Sequence, residues 1–143
     1  MGEHLTAIRL IMSAPPAKLR AVFMALRQHN GVLSEHDAAR LVGMSESRFR
    51  HLFTERIGFP FQFVRLAVRL LYGAELLRNT NLPIAQIADL LKYSERSSFE
   101  KCFKKMFAMT PAESRRGNRH KETHSQLDHR QSANVGVRST PFF

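Results

Sequence analysis

The chain of 143 residues has one cysteine, no tryptophan and only twelve acidic residues. With Cys102 alone, no disulfide within the chain and no multi-cysteine zinc site can form, and a reducing, cytoplasmic location fits. No apolar run approaches the length of about 20 residues that a membrane span needs, so no membrane partner is expected. The first sixteen residues do not read as a secretory leader, because Glu3 stands where positive charge belongs and Arg9 breaks the apolar run. No segment alternates apolar and polar residues over a strand length, which leaves an all-α fold. Paired carboxylates in a pocket-like context, a glycine-rich phosphate loop and a Ser/His/Asp plan are all missing, so neither an enzyme nor a cofactor is expected. His120, His124 and His129 lie at loose spacing in a polar C-terminal segment. Nothing there fixes ligand geometry, so no metal site is expected.

What the chain has in excess is positive charge and phenylalanine. Twenty-two Lys and Arg against the twelve acids give a net charge of +10, and the isoelectric point is near 10.8. A field of that sign draws polyanions, nucleic acid or an anionic membrane surface, and of the two nucleic acid is favoured. Hydrophobic residues make up 43% of the chain and eleven are Phe, enough for a packed core.

Helical periodicity and punctuation divide the chain. Pro15-Pro16 ends the first segment. An amphipathic helix is expected from Ala17 to about His29, with Leu19, Val22, Phe23 and Leu26 inward. Ser34 caps a short helix to Val42, with Gly43 beyond it in the left-handed conformation. Ser45 caps a helix to Ile57, which stops before Gly58. Pro60 opens a long helix to Asn79, and Pro83 a short one to Leu91. Ser94 is the expected cap of a helix reaching Phe107. Thr110-Pro111-Ala112-Glu113 reads as a capping box, starting a last helix that ends near Arg115-Arg116. The domain plan is an N-terminal extension over 1–16, a helical domain over 17–118 and a disordered polar tail over 119–143.

The chain also repeats itself. Ala39-Arg40-Leu41-Val42-Gly43-Met44-Ser45-Glu46 answers Ala88-Asp89-Leu90-Leu91-Lys92-Tyr93-Ser94-Glu95 at an offset of 49. Phe49 and Phe53 answer Phe99 and Phe103 at 50, and Pro60 answers Pro111 at 51. Each copy is a short helix, a tight turn and a second helix bearing Phe-x-x-x-Phe, the helix-turn-helix plan. The two units span about 34–57 and 83–107. In the first, Phe49, Leu52, Phe53 and Ile57 form the apolar stripe, opposite Ser47, Arg50, His51 and Thr54. In the second, Phe99, Cys102, Phe103, Met106 and Phe107 face inward, opposite Arg96, Ser97, Glu100, Lys101 and Lys104.

From Leu33 to Arg115 the chain resembles the DNA-binding domain of the AraC/XylS family. The resemblance rests on Leu41, Ser45, Phe49, Leu52, Phe53, Arg69-Leu70-x3-Ala74-x2-Leu77 and Ile84-x2-Ile87-Ala88. It continues through Tyr93-x5-Phe99-x3-Phe103-Lys104-x2-Phe107 and Thr110-Pro111. It implies seven helices in a homeodomain-like tandem, with the helix from Pro60 to Asn79 joining the two units. It further implies base reading by Ser47, Arg50 and His51 in the first unit and by Arg96, Ser97, Glu100 and Lys101 in the second. Phosphate contacts are expected at Ser45, Arg48, Thr54, Ser94, Lys104 and Thr110. The expected partner is double-stranded DNA, bound by a monomer, with RNA polymerase as a second partner and transcription regulation at the nucleoid, as activator or repressor, as the role.

Three positions depart from the family pattern: Lys92 and Ala108 stand where glycine is usual, and Ser114 where an aromatic is usual. A non-glycine residue in left-handed backbone costs about 1–2 kcal/mol, so the second unit is expected to be the less rigid. Sixteen residues precede the first expected helix, so the chain is expected to be a stand-alone member or a fragment without a ligand-sensing domain. The same departures admit a second reading, a degenerate helix-turn-helix module that binds a protein or RNA.

Overall fold

The computed structural model describes residues 2–121, and these are folded entirely from helices. Eight α-helices occur among them. They are α1 (Gly2–Ser13), α2 (Arg20–Gln28), α3 (Glu35–Leu41), α4 (Glu46–Ile57), α5 (Phe61–Asn79), α6 (Ile84–Leu90), α7 (Arg96–Phe107) and α8, residues 111–121. A 3-10 turn over Ala17–Leu19 leads into α2.

Local chemistry accounts for most boundaries. The Ser34 hydroxyl accepts from the Asp37 N–H at 3.0 Å, and the Ser45 hydroxyl accepts from the Arg48 N–H at 3.3 Å. Both satisfy donors that a helix start leaves open. At α8 the capping box forms in both directions: Thr110 N–H donates to Glu113 at 3.0 Å and Glu113 N–H to the Thr110 hydroxyl at 3.2 Å.

The sequence repeat is a backbone repeat. In the first turn Gly43 N–H donates to Arg40 O at 3.1 Å and Met44 N–H to Ala39 O at 3.0 Å. In the second, Lys92 N–H donates to Asp89 O and Tyr93 N–H to Ala88 O, both at 3.0 Å. Gly43 and Lys92 share the left-handed conformation, at φ 66° and 64°. Gly58 and Ala108 share it again where α4 and α7 end, at 84° and 58°.

Each unit has an aromatic core, and α5 belongs to both. Beneath α4, Phe49, Phe53 and Phe61 contact one another with ring centroids 5.2–5.6 Å apart, and Phe23 of α2 stacks on Phe53 at 5.8 Å. Beneath α7, Tyr93, Phe99, Phe103 and Phe107 form a chain of contacts from 5.7 down to 4.5 Å. Phe61, near the start of α5, lies in the first core. Gly73, three turns on, packs against Leu91 and Phe99 of the second, leaving no room there for a side chain. Asn30-Gly31 joins the first unit to α5 as closely: a Cβ on Gly31 would stand 2.5 Å from Arg65 O and 2.6 Å from Arg69 N.

The structure departs from the sequence expectation in four places. Residues 2–13 form a helix where the sequence predicts no element; it docks on α5 with Ile8 buried and Leu5, Ile11 and Met12 partly so. Arg9, the residue that breaks the apolar run, is on its exposed side. Ser94 does not cap α7. The Ser-to-Phe spacing is one residue longer here than in the first unit, so the cap position moves to Glu95, which makes no side-chain cap bond. Its carboxylate instead accepts the Ser97 hydroxyl at 3.2 Å. The last helix does not stop at Arg116 but runs through Gly117 to 121. Arg115 anchors it, donating to Leu77 O at 3.2 Å and Thr80 O at 3.3 Å. Lastly, Leu52 of the first apolar stripe and Cys102 and Phe107 of the second are half-buried rather than enclosed. The expected polar tail falls on residues outside the described range except at 119–121, which are helical.

Candidate nucleic-acid interface

Ser47, Arg50, His51 and Thr54 are all exposed on α4, at the spacing that puts them on one face, while Phe49, Phe53 and Ile57 are buried on the other. On α7, Arg96, Ser97, Lys101 and Lys104 are exposed and Glu100 is half-buried, opposite the buried Phe99, Phe103 and Met106. Each second helix of a unit therefore turns one polar stripe outward. Ser45 and Arg48 lie exposed at the start of α4, and Thr110 stands half-buried at the start of α8.

The outward side chains are more organised than a solvated face requires. Arg50 reaches back to Glu35, the first residue of α3, with Nη2 and Nε at 2.6 and 3.0 Å from one carboxylate oxygen. The hydrogen bond, and then the charge of Glu35, holds the Arg50 guanidinium above its ordinary value. Arg96 donates from Nε to Glu100 at 2.6 Å, one turn along the same helix. His51 Nδ1 lies 2.8 Å from Ser47 O. A carbonyl only accepts, so Nδ1 carries a proton, and Nε2 is the ring atom left to face outward partners. His36 and Glu46 meet at 2.9 Å, tying α3 to the start of α4.

Sequence reading finds the polar stripes but misses these partners. Glu35 lies fifteen residues from Arg50 in the chain, a distance that periodicity along a single helix does not bridge. The Arg96–Glu100 pair, by contrast, has the i,i+4 spacing that marks helix neighbours.

Net charge overstates the interface, because several arginines serve the fold. Arg65 donates to Leu33 O at 3.0 Å, Arg27 to Met12 O at 2.9 Å, and Arg115 ties α8 to the end of α5. Burial, and then the neighbouring charge of Arg69, lowers the pKa of Arg65; burial, and then Arg119, lowers that of Arg115. Both stay protonated at neutral pH all the same.

Among the described residues no group of three or more His, Cys, Asp or Glu has the arrangement to hold a metal. No helix among them is long and apolar enough to cross a membrane. His120 falls within the described residues, whereas His124 and His129 lie outside them.

The comparison with known proteins bears on the same residues. A family model described as a helix-turn-helix domain matches residues 38–117, from within α3 into α8, taking in most of the first unit, the helix between the units and the second unit. The crystal structure of a transcriptional regulator from Chromobacterium violaceum, described as containing an AraC-type DNA-binding domain, superposes with a TM-score of 0.66 at 27% identity. The match covers 71% of this chain and 91% of that one. The chain belongs to the AraC-type helix-turn-helix family. Two curated relatives are also helix-turn-helix regulators. The HTH-type transcriptional regulator GlxA of Rhizobium meliloti is 35% identical over 78 residues, 54% of this chain and 24% of that protein. The HTH-type transcriptional activator RhaR of Mannheimia succiniciproducens is 32% identical over 102 residues, 69% of this chain and 36% of that protein. The chain thus spans about a quarter to a third of the length of these relatives.

Proposed function

We propose that this chain binds double-stranded DNA sequence-specifically, as a monomer, and regulates transcription by doing so. The observation that carries the reading is the pair of exposed polar stripes on α4 and α7, each bearing an arginine, on two units that share one long helix. A major groove admits one α-helix and shows a distinct donor and acceptor pattern for each base pair. Successive segments on one face recur about 34 Å apart. The nineteen residues of α5 span roughly 28 Å at 1.5 Å each, a length that suits the spacing.

In this reading Ser47, Arg50 and His51 meet base edges from the first unit, and Arg96, Ser97, Glu100 and Lys101 from the second. Ser45, Arg48, Thr54, Ser94, Lys104 and Thr110 lie toward phosphates. His51 Nε2 is the ring atom free to meet a base edge. Lys101 and Lys104 have no counterparts in charge on the first stripe, so the site is asymmetric. Binding, and not catalysis, is the activity proposed. Contact with RNA polymerase and a cytoplasmic place on the nucleoid complete the proposal.

The test is a gel shift with random duplex DNA at two salt concentrations. Proteins with six to ten phosphate contacts lose roughly 10³–10⁵ in affinity between 50 and 200 mM salt. A steep loss supports the reading. A flat response, or RNA bound in preference to duplex DNA, overturns it.

A further inference from the structure

Arg50 is held in one orientation. Its Nε and Nη2 converge on a single oxygen of Glu35 at 3.0 and 2.6 Å. The Glu35 side chain is only 12% exposed against 58% for Arg50, so the fold fixes the carboxylate and the arginine reaches to it. A guanidinium has five N–H donors in a rigid fork. With one side edge taken, the pair still available in parallel is the terminal one, on Nη1 and Nη2. Two parallel donors are what guanine O6 and N7 accept. The same atom is engaged on the other helix, where Arg96 Nε donates to Glu100 at 2.6 Å.

We infer that Glu35 is the positioning residue that sets base specificity for the first unit, fixing Arg50 with its terminal edge outward so that α4 requires guanine at one base pair. The inference rests on the proposal that Arg50 reads a base. Glu35 stands on α3 and meets the reader from behind, so its effect passes through the arginine. The pair is also close to neutral as a unit. Removing Glu35 releases a mobile cation, which increases indiscriminate attraction to phosphate while loosening the demand for guanine. A residue that only supported the fold would not shift those two properties in opposite directions.

The experiment uses the full chain. A site is selected from a random duplex pool, and each base pair of the winner is then varied in competition binding. The proteins compared are the parent, Glu35→Ala, Glu35→Met, Arg50→Ala and the Glu35→Ala, Arg50→Ala double variant. The parent is expected to prefer guanine at one position by about 5- to 150-fold. Glu35→Ala is expected to reduce that preference to about threefold or less while random DNA is bound as well or better. The double variant should match Arg50→Ala at that position. Full guanine preference in both Glu35 variants, with its loss in Arg50→Ala, overturns the positioning role and leaves the base-reading proposal standing. No change at any position in Arg50→Ala overturns both. Should Glu35→Ala lower the melting temperature, Glu35→Met decides by the same criteria, because it keeps the bulk and offers no oxygen, whereas a Gln amide oxygen can still accept from Arg50.

Discussion

Exchanging Lys92 for glycine should stabilise the protein, whereas exchanging its counterpart Gly43 for alanine should destabilise it. The two occupy the same backbone conformation in the two units, at φ 64° and 66°. Ala108 and Gly58 form a second such pair at 58° and 84°. A Cβ added at Gly43 or Gly58 meets nothing within 4 Å, so packing does not enter and the backbone term acts alone. A side chain in that region costs about 1–2 kcal/mol. Glycine gives back about 0.4–1 kcal/mol through the greater freedom of its unfolded chain. The difference is about 0.5–1 kcal/mol per site. Lys92→Gly and Ala108→Gly should each gain that much, and Gly43→Ala and Gly58→Ala should each lose it. Independent sites add, so the double glycine variant should gain about 1–2 kcal/mol. With a urea slope of about 1–3 kcal/mol/M, that amounts to roughly 0.3–2 M in the unfolding midpoint. Equilibrium urea unfolding followed by far-UV circular dichroism measures it. A lower midpoint for both glycine variants, or a higher one for Gly43→Ala, would refute the backbone-strain argument.

Three further outcomes follow from the same geometry. Gly31→Ala should cost about 2–5 kcal/mol, because its Cβ meets the backbone of α5 at φ +81°; urea unfolding checks this. The Tyr93 hydroxyl is buried without a hydrogen-bond partner among the described residues, and burial, followed by Cys102, raises its pKa. The neutral form is therefore the one the fold favours: stability holds below about pH 10 and falls as the unfolded chain ionises above it. Tyr93→Phe should remove that share of the alkaline loss, and at neutral pH leave stability unchanged or raise it by up to about 1 kcal/mol, as thermal unfolding at pH 7 and 10.5 would show. Thr110→Ala breaks the capping box of α8 and should cost about 1 kcal/mol, seen as earlier exchange of the amides over 111–121.

The elements legible in the sequence are those whose signals are local. Ser34 and Ser45 cap through their own backbone neighbourhood, and the Phe49/Phe53 and Phe99/Phe103 pairs repeat at helical spacing, so the amino-acid order alone reveals both units. The glycines of the first unit mark the left-handed turns in which Lys92 and Ala108 stand in the second. The misses have other causes. The helix over Gly2–Ser13 carries Leu5, Ile8 and Met12 at i, i+3 and i+7, a usable pattern; Arg9, which lies on its exposed side, masks it. Ser94 fails as a cap because one extra residue separates it from Phe99, and a capping bond does not stretch across a shifted register. Gly117 reads as a stop, yet the bonds from Arg115 to Leu77 and Thr80 hold the helix past it. Those bonds span more than thirty residues, and no helical period reports them. The same holds for Glu35 behind Arg50, where long-range placement supplies what the polar stripe alone does not reveal.

Hydroxyl-radical footprinting on a DNA site selected by the full chain tests the central claim most directly. Two unequal protected segments on one face of the duplex, centred about 10–10.5 base pairs apart, are expected. The segment nearer the first unit should lose its base preference in Arg50→Ala, and the other in Arg96→Ala. A single protected segment, a palindromic site occupied by two chains, or protection unaffected by both substitutions would contradict the account.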